Sequence, residues 1–327
     1  MATTEILEKE VIKVVEVPIE SIKNMGKNKI LVGHRNKGVY LYEISENVTE
    51  APSRCMKAYK HDKKVYDCCY AEAADKLISV AGQEVYMTDC EDKSYKKYKG
   101  HNMDMTAVAI NKKNNKIVTG SYDGQFIVWN TQGEQIERYG QMEEGHKGWI
   151  NAVEFVPGNE EMDVLATASE DGSVKIWDLE NGLLLKTFID GQYIDLKKVA
   201  EQKQIVKSNT DLAVKAMCFS NDGSLIAYGG RNSKVYIINL QKNETLQSFT
   251  VPNRITALAS GEKQPLIAIA IPDKILLWNI IEENVVAEYS FAAGSNEVYC
   301  YSMTFLGDEL LIGLTNGKMI RLEISKH

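Results

Sequence analysis

The chain has 327 residues, of which 44% are hydrophobic, 25% charged and 8% aromatic. This length suits either two average domains or one large domain built from repeats, so internal repeats decide between them. Lys and Arg number 38 against 45 Asp and Glu, and the net charge of −7 argues against a protein that coats nucleic acid uniformly. A local basic patch remains compatible with this total, because a partner responds to the local field.

The cysteine and histidine content argues against a zinc site. The six cysteines show no C-x-x-C spacing, and the five histidines are scattered along the chain. The start of the chain is polar, unlike a secretory signal, and there is no run of about 18 apolar residues that could span a membrane. We therefore expect a soluble cytoplasmic protein of a reducing compartment, with no metal and no cofactor.

Two segments of the chain repeat one pattern. Ile117–Asn130 and Leu165–Asp178 each read as a strand, an Asp-Gly turn, an alternating second strand and a final Trp followed by Asn or Asp. Asp-Gly tolerates the positive φ of a tight hairpin turn. Five weaker copies make seven units, whose closing residues are at positions 42, 88, 129, 177, 238, 278 and 322. Spacings of 40 to 48 residues, with one of 61, are typical of four-stranded propeller blades.

In chain order, these units predict a single all-β domain, a seven-bladed propeller. The blades are expected at about residues 18–59, 60–99, 100–141, 145–188, 212–250, 251–291 and 297–324. A strand at about 10–17 should supply the outer strand that the last blade lacks, closing the ring and removing exposed sheet edges. We attribute the long interval to an inserted loop at about 190–211 with a short helix from Leu196 to Val206, and interpret it as a solvated spacer.

The two strongest units also share a polar set. Each has a Gly-His pair ahead of it, a strand hydroxyl (Thr119 or Ser121, and Thr167 or Ser169), an Asp in the turn and a Trp at the end. The set resembles that of WD-repeat proteins, where it is hydrogen-bonded within one blade. The resemblance implies such networks for His101, Asp123, Trp129, His146, Asp171 and Trp177. His, Ser and Asp together suggest catalysis, but recurrence from blade to blade favours a structural role. His61 should serve blade 2 without an Asp or Trp partner.

A longer stretch, residues 100–159, is similar to the receptor for activated C kinase family, the seven-bladed WD-repeat scaffold of the eukaryotic small ribosomal subunit. The similarity is carried by Ile117–Ser121, Trp129–Thr131, Gly145–Trp149 and, in the fifth blade, Phe219–Gly230. The resemblance implies docking on ribosomal RNA through a basic turn of blade 1, here Arg35-Asn36-Lys37, and recruitment of protein kinases and translation factors. The chain departs from the family at Val80–Glu84 in blade 2 and at Ile255–Ser260 in blade 6.

The charge is unevenly distributed. Residues 1–120 carry 20 Lys and Arg against 17 Asp and Glu, whereas residues 121–327 carry 18 against 28. In a propeller, the turn inside each unit lies on the same face as the connections between blades, so the cations of blades 1 to 3 should converge on one face and its rim. The residues predicted to contact rRNA are Arg35, Lys37, Lys57, Lys60, Lys63, Lys64, Lys97 and Lys99. Such cations suit a phosphate backbone, through which RNA helices are largely recognised.

These features favour a non-enzymatic scaffold of the small ribosomal subunit. Its partners would be rRNA and ribosomal proteins, with protein kinases and translation factors recruited by other faces. The alternative is an adaptor of another complex, such as a ubiquitin-ligase substrate receptor or a coat component. An enzyme is disfavoured because the sequence contains no GxSxG, HExxH, P-loop or GxGxxG motif.

Overall fold

Seven antiparallel sheets surround a central channel. The computed structural model describes residues 4–13, 16–49, 51–111, 113, 115–140, 144–158, 162–195, 209–291 and 298–326. In each sheet one strand lines the channel and the remaining strands follow it outward. The protein is therefore the all-β, seven-bladed propeller that the repeats predict. Besides strands, the described residues form two 3₁₀ turns, Glu72–Ala74 and Thr210–Leu212.

Blades 1, 2 and 3 each have four strands in chain order from the channel outward. Blade 1 consists of β2 (Ile19–Gly26), β3 (Lys29–His34), β4 (Gly38–Glu43) and β5 (Arg54–Tyr59). Blade 2 consists of β6 (Val65–Ala71), β7 (Lys76–Ala81), β8 (Glu84–Asp89) and β9 (Tyr95–Lys99). Blade 3 consists of β10 (Met105–Ile110), β11 (Lys116–Ser121), β12 (Phe126–Asn130) and β13 (Gln135–Tyr139).

Blades 4 to 6 follow the same order, with one additional strand in blade 4. Blade 4 consists of β14 (Ile150–Phe155), β15 (Val164–Ser169), β16 (Ser173–Asp178), β17 (Leu183–Ile189) and β18 (Gln192–Tyr193). Blade 5 consists of β19 (Val214–Phe219), β20 (Leu225–Gly230), β21 (Lys234–Asn239) and β22 (Glu244–Thr250). Blade 6 consists of β23 (Ala257–Ser260), β24 (Leu266–Ile271), β25 (Lys274–Asn279) and β26 (Asn284–Ser290).

Blade 7 joins the two ends of the chain. It consists of β27 (Cys300–Leu306), β28 (Glu309–Leu314), β29 (Lys318–Lys326) and, as its outer strand, β1 (Thr4–Lys13). The closing strand thus lies further toward the N-terminus than the predicted 10–17. Because β29 continues to Lys326, its antiparallel partner has to begin at Thr4, and the pairing ends at Lys13 opposite Lys318.

The 61-residue spacing between the closing residues at 177 and 238 includes an additional strand of blade 4 as well as the connection to blade 5. Gln192 and Tyr193 pair with Ile189 and Phe188, so the segment predicted as a loop at 190–211 begins with a fifth strand of blade 4. The helix predicted for Leu196 to Val206 lies outside the described residues.

In blades 3 and 4, Asp-Gly turns connect the second and third strands at the positions that the sequence predicts. Gly124 has φ of 77° and Gly172 has φ of 88°, the left-handed backbone region that favours glycine. Each glycine N–H donates at 3.2 Å to the carbonyl of the last residue of the second strand, Ser121 or Ser169.

The apolar core lies between the blades. One cluster combines Phe126 and Tyr139 of blade 3 with Trp177 of blade 4. The Phe126 and Tyr139 rings stack at 4.5 Å, and Trp177 meets Phe126 edge-to-face at 5.2 Å. Since alternate residues of each strand face opposite sides, every blade can pack on both neighbours.

One side chain per blade lies at the channel mouth, near the start of the inner strand. The register of six of the seven inner strands shifts by one residue there, as between Ile19 and Ser21 in β2. The seven side chains at this position line the channel and are Glu20, Tyr66, Thr106, Asn151, Lys215, Thr256 and Tyr301.

All six cysteines are free thiols, five of them buried and Cys55 exposed. Within the described part of the chain, no helix has the length and apolarity needed to cross a membrane.

Candidate functional site

Blade 3 contains a closed polar network. His101 Nδ1 lies 3.0 Å from an Asp123 carboxylate oxygen, and its Nε2 lies 2.9 Å from Thr119 Oγ1. The indole N–H of Trp129 donates to the same Thr119 oxygen at 2.9 Å. The network hydroxyl is therefore that of Thr119, whereas Ser121 Oγ donates to a backbone carbonyl at 3.0 Å.

Blade 4 repeats this geometry. His146 lies 3.1 Å from Asp171 and 2.7 Å from Thr167 Oγ1, which also accepts the Trp177 indole N–H at 2.9 Å. Burial alone would raise the pKa of Asp171, but its contacts with His146 hold that pKa well below its usual range.

Both networks are enclosed in the blades. The side chains of His101 and His146 are 0% and 1% exposed, so neither reaches a substrate from solvent. Each Asp also accepts a backbone N–H from the residue that follows the histidine, which fixes the connection before the blade against the turn. Each network therefore joins the connection before the blade to the turn within the blade.

Blade 2 has a reduced version of the set, and blade 1 has a buried histidine at a different position, the end of β3. His61 of blade 2 contacts Ser79 Oγ at 2.6 Å. In blade 1, His34 is buried edge-to-face on Tyr40, with ring centroids 4.9 Å apart. Neither ring nitrogen of His34 has a hydrogen-bond partner among the described residues, and burial lowers the pKa of His34 to about 4.

One face of the ring holds the turns between second and third strands together with the connections between blades; we call it the upper face. Here the Val65 N–H donates to the Arg35 carbonyl at 3.2 Å, which sets Arg35 beside Lys64. Arg35 pairs with Glu20, and Lys64 Nζ lies 3.9 Å from the centre of the Tyr66 ring.

Glu84, which the sequence analysis did not identify as a site residue, forms ion pairs with the lysines of blade 2. Glu84 is only 7% exposed, and its oxygens lie 3.2, 3.6 and 3.3 Å from the ammonium groups of Lys63, Lys97 and Lys99. Burial would raise the pKa of Glu84, but hydrogen bonds from Lys63, Lys99 and Tyr86 hold it below its usual range. The sequence feature that could have identified Glu84 is the acidic residue in the segment Val80–Glu84, where blade 2 departs from the family.

The remaining predicted cations divide between the two faces. Lys37 and Lys60 are exposed on the upper face. Lys57 instead donates to the carbonyl of Cys90, in the turn between β8 and β9 on the opposite face. The upper face of blades 1 and 2, with its rim, thus brings together a basic group of Arg35, Lys37, Lys60, Lys63, Lys64, Lys97 and Lys99.

The channel has a volume of about 680 Å³ and contains charged side chains. Lys23 Nζ lies 3.6 Å from Asp67, whose carboxylate also accepts from Ser21 Oγ and the Val108 N–H, so that it joins blades 1, 2 and 3. Burial raises the pKa of Glu154, on the wall of the same channel, to about 7. The described residues contain no group of three or more His, Cys, Asp or Glu suited to a metal ion.

Comparison with known proteins gives the family. The chain matches the WD domain, G-beta repeat, at residues 92–130 and 138–178, and the anaphase-promoting complex subunit 4 WD40 domain at 190–263. It is 32% identical over 313 residues to a guanine nucleotide-binding protein subunit beta-like protein of Encephalitozoon cuniculi, covering 94% of this chain and 93% of that protein.

Two further relatives are named small ribosomal subunit proteins. RACK1y of Oryza sativa is 27% identical over 179 residues, 53% of this chain and 47% of the relative. RACK1 of Neurospora crassa is 24% identical over 171 residues, 51% of this chain and 48% of the relative. The near full-length match to the Encephalitozoon protein, the seven blades and the His–Thr–Trp networks together show that this chain belongs to the WD-repeat family of G protein beta-like propellers.

Proposed function

We propose that this protein is a non-enzymatic scaffold that binds the small ribosomal subunit through the basic group on the upper face of blades 1 and 2. Its other surfaces would recruit signalling and translation factors, protein kinases among them. The observation that most directly supports this proposal is that seven cations lie together on this face, in a chain whose net charge is −7. The rice and Neurospora relatives are named small ribosomal subunit proteins, which supports the ribosome as partner.

The chemistry of the basic group suits a phosphate backbone. Glu84 holds three lysines together, so the charges are ordered while the cluster remains net positive. Lys37 and Lys60 extend into solvent beside it. Such cations displace condensed counterions from RNA and bind it by shape and charge rather than by base sequence.

Neutralising the blade 1 turn tests this proposal. Arg35→Gln combined with Lys37→Gln removes two charges, while the glutamine amide introduced at position 35 can still donate a hydrogen bond to Glu20. We expect the double variant to fold normally but to be lost from small subunits on a sucrose gradient at moderate salt. The slope of log affinity against log salt should fall by about 2 in magnitude, one for each lost phosphate contact.

The control removes the same charge from the opposite face. Lys29, the first residue of β3, and Lys242, in the turn before β22, are both exposed, so Lys29→Gln with Lys242→Gln should co-sediment as wild type does. If the blade 1 double variant also co-sediments unchanged, the proposed docking surface is wrong.

A second candidate function is a subunit of another protein complex, such as a ubiquitin ligase or a coat. The observation that favours it is the match of residues 190–263 to a WD40 domain of the anaphase-promoting complex. Affinity purification from cell extract separates the candidates, because ribosomal proteins with rRNA support the first and ligase or coat subunits support the second.

A further inference from the structure

In six of the seven blades, one position makes a backbone hydrogen bond that shapes the upper face. It is the residue immediately before the inner strand, whose carbonyl accepts an N–H from the residue that follows the second strand. This bond is made by Pro18, Lys64, Asp104, Trp149, Ala213 and Tyr299. Because these side chains share neither size nor charge, the fold does not require a particular side chain at this position.

Trp149 is therefore larger and more apolar than its place in the fold demands. It is 48% exposed, although it directly precedes the buried Ile150. Its ring meets Tyr122 edge-to-face at 4.9 Å, and Tyr122 meets Tyr66 at 5.9 Å. The Tyr66 hydroxyl donates to Asp104 at 3.0 Å, which anchors the far end of this aromatic row. An exposed aromatic held rigid by its neighbours is the type of residue that anchors a protein interface.

The charged residues around this aromatic row include more cations than carboxylates, so their net charge is positive. Glu170, beside Trp149, is saturated by Lys215 at 2.5 Å, by Arg231 and by Asn151 at 3.1 Å. The cations at this mouth are Arg35, Lys64, Lys215, Arg231 and Arg254, and the carboxylates are Glu20, Asp104 and Glu170. An apolar row between two cationic sectors is complementary to an apolar residue flanked by acids.

We propose that the channel mouth on the upper face binds an acidic segment of a partner protein that carries one large apolar residue. That residue packs on Trp149 and Tyr122, and the flanking carboxylates face Arg35 and Lys64 on one side and Lys215 with Arg231 on the other. The site goes beyond rRNA docking, since neither aromatic belongs to the basic group.

A polypeptide suits this row better than a nucleic acid does. The Tyr122 N–H donates to the Asp104 carbonyl and the Glu170 N–H donates to the Trp149 carbonyl, so both carboxylates border the row. A continuous phosphate backbone across the row would meet these carboxylates. A peptide can instead place its few acids only where the cations lie.

The test uses the full-length chain and a short fluorescein-labelled peptide with one Phe flanked on both sides by Glu. Fluorescence anisotropy should show saturable binding. Trp149→Ala, or Ser in place of the peptide Phe, should weaken it by at least about tenfold, the loss typical of a buried aromatic anchor. Trp149→Phe should retain most of the affinity, and thermal unfolding of both variants should match wild type because the carbonyl at residue 149 remains.

The matched control is Ile281→Ala, which removes a 77% exposed apolar side chain from the turn between β25 and β26 on the opposite face and should change nothing. Equal affinity of wild type and Trp149→Ala, or no saturable binding by wild type, overturns the proposal. An equal loss of short-oligouridine binding and of peptide binding in Trp149→Ala also overturns it, in favour of nucleic acid. Trp149→Ala should still co-sediment with small subunits, which separates failure of this site from failure of ribosome docking.

Discussion

At the residue scale, the channel wall changes the acid–base behaviour of Glu154. Burial raises its pKa to about 7 from an ordinary 4.5, so the fold favours the protonated carboxyl. The stability that this preference contributes is complete below pH 4.5 and is lost as the pH rises through 7. We expect Glu154→Gln, a mimic of the protonated form, to match wild type near pH 4. Near pH 8 its free energy of unfolding, measured by urea denaturation, should exceed that of wild type by about 1 kcal/mol. The difference is this small because water in the channel screens the charge.

The control for this residue is Glu244→Gln, an exposed acid at the start of β22. Its free energy of unfolding should differ from wild type equally at the two pH values. Loss of stability in Glu154→Gln near pH 8 would contradict the expectation and would mean that ionised Glu154 is held favourably by Lys23.

At the scale of the element, the outer strands connect neighbouring blades. Lys57, Lys186 and Gln247 occupy the same position in the outer strands of blades 1, 4 and 5. Each donates to a backbone carbonyl near the end of the third strand in the next blade; the acceptors are Cys90, Leu240 and Ile280. Lys57→Met keeps the chain length but leaves the Cys90 carbonyl without this donor. We expect a loss of about 1 kcal/mol in urea denaturation and unchanged co-sedimentation with small subunits.

The comparison for Lys57 is Lys60→Met, which removes an exposed cation of the upper face. It should leave the unfolding free energy unchanged and weaken co-sedimentation. Release of Lys57→Met from small subunits at wild-type stability would instead make Lys57 a docking residue.

At the scale of the whole molecule, a buried ionic group lies where the two ends of the chain meet in blade 7. Arg321 of β29 donates to Glu309 at 2.7 and 2.9 Å and to the carbonyl of Ser45 in blade 1 at 2.6 Å, and it lies 3.7 Å from Glu10 of β1. Arg321→Met removes the cation from buried carboxylates. We expect a loss of about 2–3 kcal/mol in urea denaturation, because an uncompensated buried charge is costly.

A surface ion pair provides the reference for this variant. Lys274 lies 3.0 Å from Glu288 within blade 6, so Lys274→Met should cost less than about 1 kcal/mol. Equal losses in the two variants would show that closure does not depend on Arg321.

Local features were sufficient to predict the blades and their turns. The Asp-Gly turns with positive φ at Gly124 and Gly172 depend on neighbouring residues, and so does the alternation of the strands they join. The Trp of each full network also follows the Asp of the turn by six positions. Because each repeat corresponds to one blade, counting the repeats in the sequence predicts the number of blades.

The contacts of flexible or ambiguous side chains were decided only by the folded ring. Thr119 joins the network and Ser121 does not, because Ser121 ends β11, where its hydroxyl donates to the Asp104 carbonyl and accepts the Asp123 N–H. Lysines of similar appearance in the sequence separate, with Lys57 bound to the opposite face and Lys63 to Glu84. The reason is physical: a long side chain takes whichever partner a neighbouring blade or strand brings within reach, and that partner is often distant in the sequence.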